Sequence, residues 1–257
     1  MTKKVTLFLL VASLLPTGVL AWSTPGEDFS GELKLEGGVT SSRNPWVWKV
    51  GEGNDSLEVR QDRGTRGIGA SGTEVPLPAL TIVLGKTTLT TPAGREGLSP
   101  RVSYGKGVEG FSLEWAEPGI AEVTLPVTGE DNMRAGTFVF RMQTAGVLRY
   151  IQDGKVVYAG VYDDLNANGL PGESMVMKAG ETPGILQSMF SGEGPSWLQT
   201  MALTGYTGVS HFSDATLRQV DGVYGAQVVT GSGELRLDSD IQEQRWRVSL
   251  PVSIEYQ

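Results

Sequence analysis

The sequence predicts an all-β protein built as an antiparallel sandwich, and three observations carry that prediction. Short segments that alternate apolar and polar residues recur along the chain, separated by clusters of Gly, Pro, Asn and Asp. The 35 glycines and 8% aromatic content suit many short strands joined by turns. The pattern is strictest at 246–256, where Trp246, Val248, Leu250, Val252, Ile254 and Tyr256 take every second position. Arg247, Ser249, Ser253 and Glu255 lie between them. A period of two marks a strand with one buried face and one wet face.

In chain order, residues 1–21 read as a signal peptide. Lys3 and Lys4 form the basic start, Val5 to Leu15 the apolar run, and Val19-Leu20-Ala21 the small-residue cleavage site. The apolar run is too short to span a bilayer. The mature chain then starts at Trp22. Two of the 21 basic side chains leave with the signal, so 19 oppose 29 acidic ones and the net charge moves from −8 to −10. That balance argues against non-specific binding to nucleic acid or to an anionic membrane. With no cysteine, disulfides, thiolate metal sites and cysteine nucleophiles are all excluded.

Residues 22–28 are polar and rich in turn formers. Phe29, Gly31, Leu33, Leu35 and Val39 then share one parity, with Ser30, Glu32, Lys34 and Glu36 on the other. This second alternating segment has two readings: the first strand of the sheet, or a strand offered to another molecule. Trp46, Trp48 and Val50 repeat the alternation. Further strands are expected at 80–84, 111–115, 121–127, 137–142, 156–162, 226–229 and 234–237. In the fourth of these Phe138, Phe140 and Met142 face one way, and Val139 and Arg141 the other.

Between Pro183 and Leu203 the apolar spacing becomes helical: Ile185, Leu186, Met189 and Phe190, then Trp197, Leu198, Met201 and Ala202. Gly192 and Gly194 split this into two expected short helices. Residues 163–222 therefore read as an excursion inserted into a β domain spanning 41–257.

No catalytic constellation is legible. His211 is the only histidine, and no Gly-x-Ser-x-Gly elbow accompanies it. A lone histidine without cysteine is a poor zinc ligand set. Asp164, Asn166 and Asn168, followed by Gly169, match the first half of an EF-hand calcium loop. The bidentate glutamate of the second half is missing, since Met175 holds its place. A polar Asn-Gly turn is the competing reading. Trp197, Tyr206 and Tyr224 are candidates for stacking on sugars, or for the core. No cofactor is implied.

No strand follows 246–256 in this sequence, and Pro251 inside it lacks one ladder donor, which favours a sheet edge. A long apolar edge invites association unless something covers it. If the sandwich lacks its final strand, the 29–39 segment of another copy fits the gap by strand addition. Burying Phe29, Leu33, Leu35 and Val39 at roughly 1.5–3 kcal/mol each gives a gross apolar gain of about 6–12 kcal/mol.

The chain also resembles the Fae-type chaperone–usher fimbrial subunits. The residues that carry the resemblance are Trp22, Asp28-Phe29-Ser30-Gly31, Gly37-Gly38-Val39-Thr40 and Trp46-Val47-Trp48-Lys49-Val50-Gly51. Leu84-Gly85-Lys86-Thr87, Leu125-Pro126-Val127, Ala145-Gly146-Val147-Leu148 and the penultimate Tyr256 extend it. The resemblance implies an incomplete immunoglobulin-like β-sandwich completed by donor-strand complementation. It implies a donor extension at 22–40 and an acceptor edge at Trp246, Val248, Leu250, Val252, Ile254 and Tyr256. Its expected partners are a periplasmic chaperone, an outer-membrane usher and neighbouring subunits of a cell-surface fimbrium that adheres to host cells. The match is weakest at 163–222, where the family's major subunits recognise glycans. A minor structural subunit is therefore the better expectation, and a glycan-binding adhesin or major subunit the alternative.

Overall fold

The computed structural model describes residues 44–54, 57, 72–238 and 245–257. The signal peptide and the 22–40 extension, with Phe29, Gly31, Leu33, Leu35 and Val39, lie outside the described residues.

Among the described residues the fold is all-β with one short α-helix. The first strands are β1 (Trp46–Val50), β2 (Thr73–Val75), β3 (Thr81–Thr87), β4 (Thr91–Ala93) and β5 (Pro100–Tyr104). Then come β6 (Ser112–Glu117), β7 (Ile120–Thr128), β8 (Arg134–Gln152) and β9 (Lys155–Tyr162). Helix α1 (Thr182–Phe190) precedes β10 (Gly205–Gly208), β11 (Arg218–Val228), β12 (Gly233–Leu237) and β13 (Val252–Tyr256).

Strand β8 organises the larger sheet because its 19 residues are long enough to serve two sets of neighbours. Its first half lies between β7 and β12, and its second half between β9 and β11. Strand β11 continues to β3, and β3 to β1, all antiparallel. A separate two-stranded sheet joins β13 to β5. Both sheets feed one core, which includes Phe138, Phe140, Met142 and Leu148 from β8, Val102 and Tyr104 from β5, and Trp46 from β1.

The alternation of 137–142 is borne out in the side chains of Phe138 and Phe140, whose rings lie 6.0 Å apart. Farther along β8 the alternation vanishes, because Ala145 and Val147 are buried on the opposite face. There α1 and its flanks supply a second apolar cluster with Leu186, Met189, Phe190, Leu198 and Met201, packed on Leu84 and Val223. The approach is close at Gly225: a Cβ there would sit 2.6 Å from the Met189 sulfur. Helix α1 thus roofs a sheet face that would otherwise be wet.

The structure departs from the sequence expectations in several elements. The second expected helix is a single 3-10 turn at Ser196–Gln199. The backbone leaves helical geometry at Thr200, and the Thr204 N–H is drawn instead to Tyr158 O at 2.9 Å, on the way into β10. Strand β11 starts at Arg218, well before 226, since the stretch ahead of 226 contains Gly222 and Gly225 and so looks turn-like in sequence. Finally, 246–256 is not one strand. Regular pairing spans β13 alone, while Arg247 forms an isolated antiparallel bridge with Thr128 at the end of β7. Pro251 separates the two, and Trp246, Val248 and Leu250 pack on the core without belonging to a strand.

A polar network fastens β8 to β11 and to the β3–β4 turn. The Asp221 carboxylate, 5% exposed as a residue, accepts bonds from Arg149 at 2.7 Å and from Thr90 at 3.1 Å.

Candidate functional site: two unpaired strand edges

Ladder parity shows which way each backbone group of β13 points. Gly105 N–H donates to Pro251 O at 2.9 Å, and Ser99 and Gln257 exchange bonds at 3.1 and 3.2 Å. With the Val252↔Tyr104 to Tyr256↔Pro100 register, these bonds turn residues 251, 253, 255 and 257 toward β5. Alternate residues of an antiparallel pair face opposite sides. The N–H and C=O groups of Val252, Ile254 and Tyr256 therefore point to the other edge, where no strand pairs among the described residues. Pro251 turns its missing donor toward β5, so the unpaired edge loses nothing to it.

Strand β1 presents a matching edge. Thr88 N–H donates to Pro45 O at 2.9 Å, and Gly51 N–H to Ile82 O at 3.1 Å. Odd residues thus face β3, and Trp46, Trp48 and Val50 turn their backbone groups away from it. Among the described residues β3 is the only strand paired with β1. The Trp46 N–H is capped by Asn44 Oδ1 at 3.0 Å.

The side chains of the two edges meet between the sheets. The Trp46 and Trp48 rings stack at 5.2 Å, and Trp46 Nε1 donates to Leu98 O at 2.9 Å. Trp48 lies flat over Gly85, where a Cβ would come within 2.3 Å of the indole, and its ring reaches Tyr224 at 5.8 Å. From there Trp48 Nε1 donates to the Tyr256 hydroxyl at 2.7 Å. Val50 shares the inward parity of the tryptophans, yet it is 62% exposed. The apolar floor between β1 and β13 is therefore only partly covered.

Below that floor, Tyr104 and Tyr224 share a hydroxyl contact of 2.8 Å, and the Tyr224 hydroxyl donates to Gly169 O at 2.6 Å. Burial pushes both phenols well above their ordinary value of 10.0. A raised phenol favours the folded state below pH 10 and loses that contribution as pH rises above it. The urea midpoint should hold steady up to about pH 10 and fall beyond it, with the phenolate absorbance of these two residues appearing only on unfolding. Their titration in the folded chain at ordinary phenol pH would contradict this burial.

On the wet face of β13, Lys106 at 2.9 Å, with Arg101 farther off, holds the Glu255 carboxyl below the usual carboxylate range. The strand is thus polar on one face and apolar on the other, as its sequence predicts.

The remaining candidates are dispersed. The Asp164 carboxylate accepts from the Ser210 N–H at 2.9 Å and from its hydroxyl. Asn166 adopts φ 56°. The Asn168 amide pairs with both backbone groups of Tyr104, at 2.7 and 3.0 Å, and so covers the far edge of β5. Asp164 and Asn168 thus serve different segments, and among the described residues no cluster of His, Asp or Glu could hold a metal ion. His211 stands edge-on to Tyr150 at 5.8 Å and lies 3.6 Å from Asp214. Tyr224 is core, Trp197 packs on Tyr158 at 5.7 Å, and the exposed Tyr206 accepts the Ala179 N–H at 2.7 Å.

Strand β5, the ladder partner of β13, is absent from the sequence expectations. Its buried Pro100, Val102 and Tyr104 alternate with Arg101 and Ser103, a signal too short to stand out behind a leading proline.

A family described as fimbrial, major and minor subunit matches residues 2–257. The K88 minor fimbrial subunit FaeI of Escherichia coli is 76% identical over 255 residues, covering 99% of this chain and 100% of that protein. The K88 fimbrial protein AD of Escherichia coli is 28% identical over 162 residues, covering 57% of this chain and 54% of that protein.

Proposed function

The chain belongs to the family of major and minor fimbrial subunits, and from that premise we propose that it is a minor structural subunit of a bacterial surface fimbrium, assembled by strand exchange and contributing to adhesion. Its role is structural rather than catalytic. Residues 41–257 form an immunoglobulin-like sandwich short of one strand, and the gap lies between β1 and β13. A periplasmic chaperone fills the gap first. At an outer-membrane usher the 22–40 extension of the next subunit replaces it, with Phe29, Leu33, Leu35 and Val39 turned inward.

One observation supports this reading most: backbone groups of Trp48 and Val50, and of Val252, Ile254 and Tyr256, face outward from two edges that no strand pairs among the described residues and that touch through Trp48 and Tyr256. A strand between them gains ladder bonds on both sides and buries its apolar face on the floor.

Deleting 22–40 tests the donor half. The shortened chain should still be held soluble by a co-expressed periplasmic chaperone and should fail to join the next subunit. Continued polymerisation would sink the donor assignment.

A further inference from the structure

We propose that the Trp48–Tyr256 hydrogen bond is a latch: it holds the slot between β1 and β13 closed while empty, and Tyr256 must swing away before a strand can enter. The proposal rests on the strand-acceptor reading above and adds a step to it.

The two halves of the latch differ in mobility. Trp48 is the fixed post, stacked on Trp46, whose own indole N–H is bonded to Leu98 O. It lies on the bare backbone of Gly85 and cannot retreat further into the sheet. Tyr256 is the moving part. It ends β13, is 38% exposed, and is tied through its hydroxyl to Trp48 at 2.7 Å.

An incoming strand has to turn alternate side chains into the space between the sheets. The indole and phenol tips meet in that space, so a side chain arriving at their level needs the room that the hydrogen bond occupies. Val50 and Val252, away from the bond, leave the rest of the slot accessible. Breaking one neutral hydrogen bond is a small barrier, about two- to tenfold in rate. It slows spurious pairing of a bare apolar edge without preventing capture of the right strand.

The test uses the mature chain, residues 22–257, with a fluorophore-labelled synthetic peptide of residues 27–41 in excess. Tyr256→Phe keeps the ring and removes the acceptor. It should take up the peptide about two- to tenfold faster than the unaltered chain, with an unchanged release rate. Equal or slower uptake overturns the latch. A second readout needs no altered groove: the indole N–H resonance of Trp48, identified by its loss in Trp48→Phe. That proton should be shielded from solvent exchange in the free chain and exposed once peptide is captured. A resonance unaltered by capture overturns the latch and leaves the strand-acceptor reading standing. No capture by the unaltered chain overturns both.

Discussion

Replacing Val252 and Ile254 together by aspartate should abolish capture by the periplasmic chaperone and by a neighbouring subunit. Both side chains face the shared core while their backbone groups face the unpaired edge. Two effects act together. The apolar floor loses about 1.5–3 kcal/mol for each side chain it no longer buries. Any strand laid over the edge would also bury two unpaired carboxylates, which costs more than the lost contacts. The apolar loss alone, about 3–6 kcal/mol, corresponds to a hundredfold or greater weakening of capture. Co-purification with the chaperone reads the outcome. Ser253→Asp, on the opposite face of the same strand, is the control and should leave capture intact. An unchanged complex with the double variant would remove β13 from the assembly surface.

The second large effect lies in the polar network behind the groove. Asp221→Ala should destabilise the fold by about 3 kcal/mol. Arg149 would be left without its carboxylate partner at a site where its side chain is 17% exposed, and Thr90 would lose its acceptor. Asp221→Asn should cost less, since the amide oxygen still accepts. Replacing the ion pair by apolar side chains, Arg149→Met with Asp221→Leu, should recover most of the loss, because two charges are no longer drawn from water. Urea denaturation of the mature chain measures all three. A cost well under 1 kcal/mol for Asp221→Ala would mean that water reaches Arg149 freely.

The two experiments probe different layers of one design. The first changes what an arriving strand meets. The second loosens the β8–β11 seam, which lies next to β3 and hence one strand away from β1.

The sequence by itself determined the fold class, because a period of two and frequent turn residues are local properties. It determined β1 to the residue, since Trp46, Trp48 and Val50 alternate without interruption. It also determined which side chains of 252–256 face inward. The periodic run of 183–190 was enough to announce α1, and the quoted motifs were enough to point to the fimbrial subunit family.

Only the tertiary structure decided the rest. Which edges stay unpaired depends on hydrogen-bond partners distant in sequence, such as Gly105 with Pro251 and Ile82 with Gly51. The burial of Ala145 and Val147 on the outer face of β8 depends on where α1 lands, and no local pattern records that. The break at Pro251 follows from Arg247 finding Thr128 while Val252 finds Tyr104. The Trp48–Tyr256 contact joins residues 208 positions apart. Periodicity fixes which face of a strand is apolar, whereas pairing is a long-range choice that becomes definite only when the strands have packed.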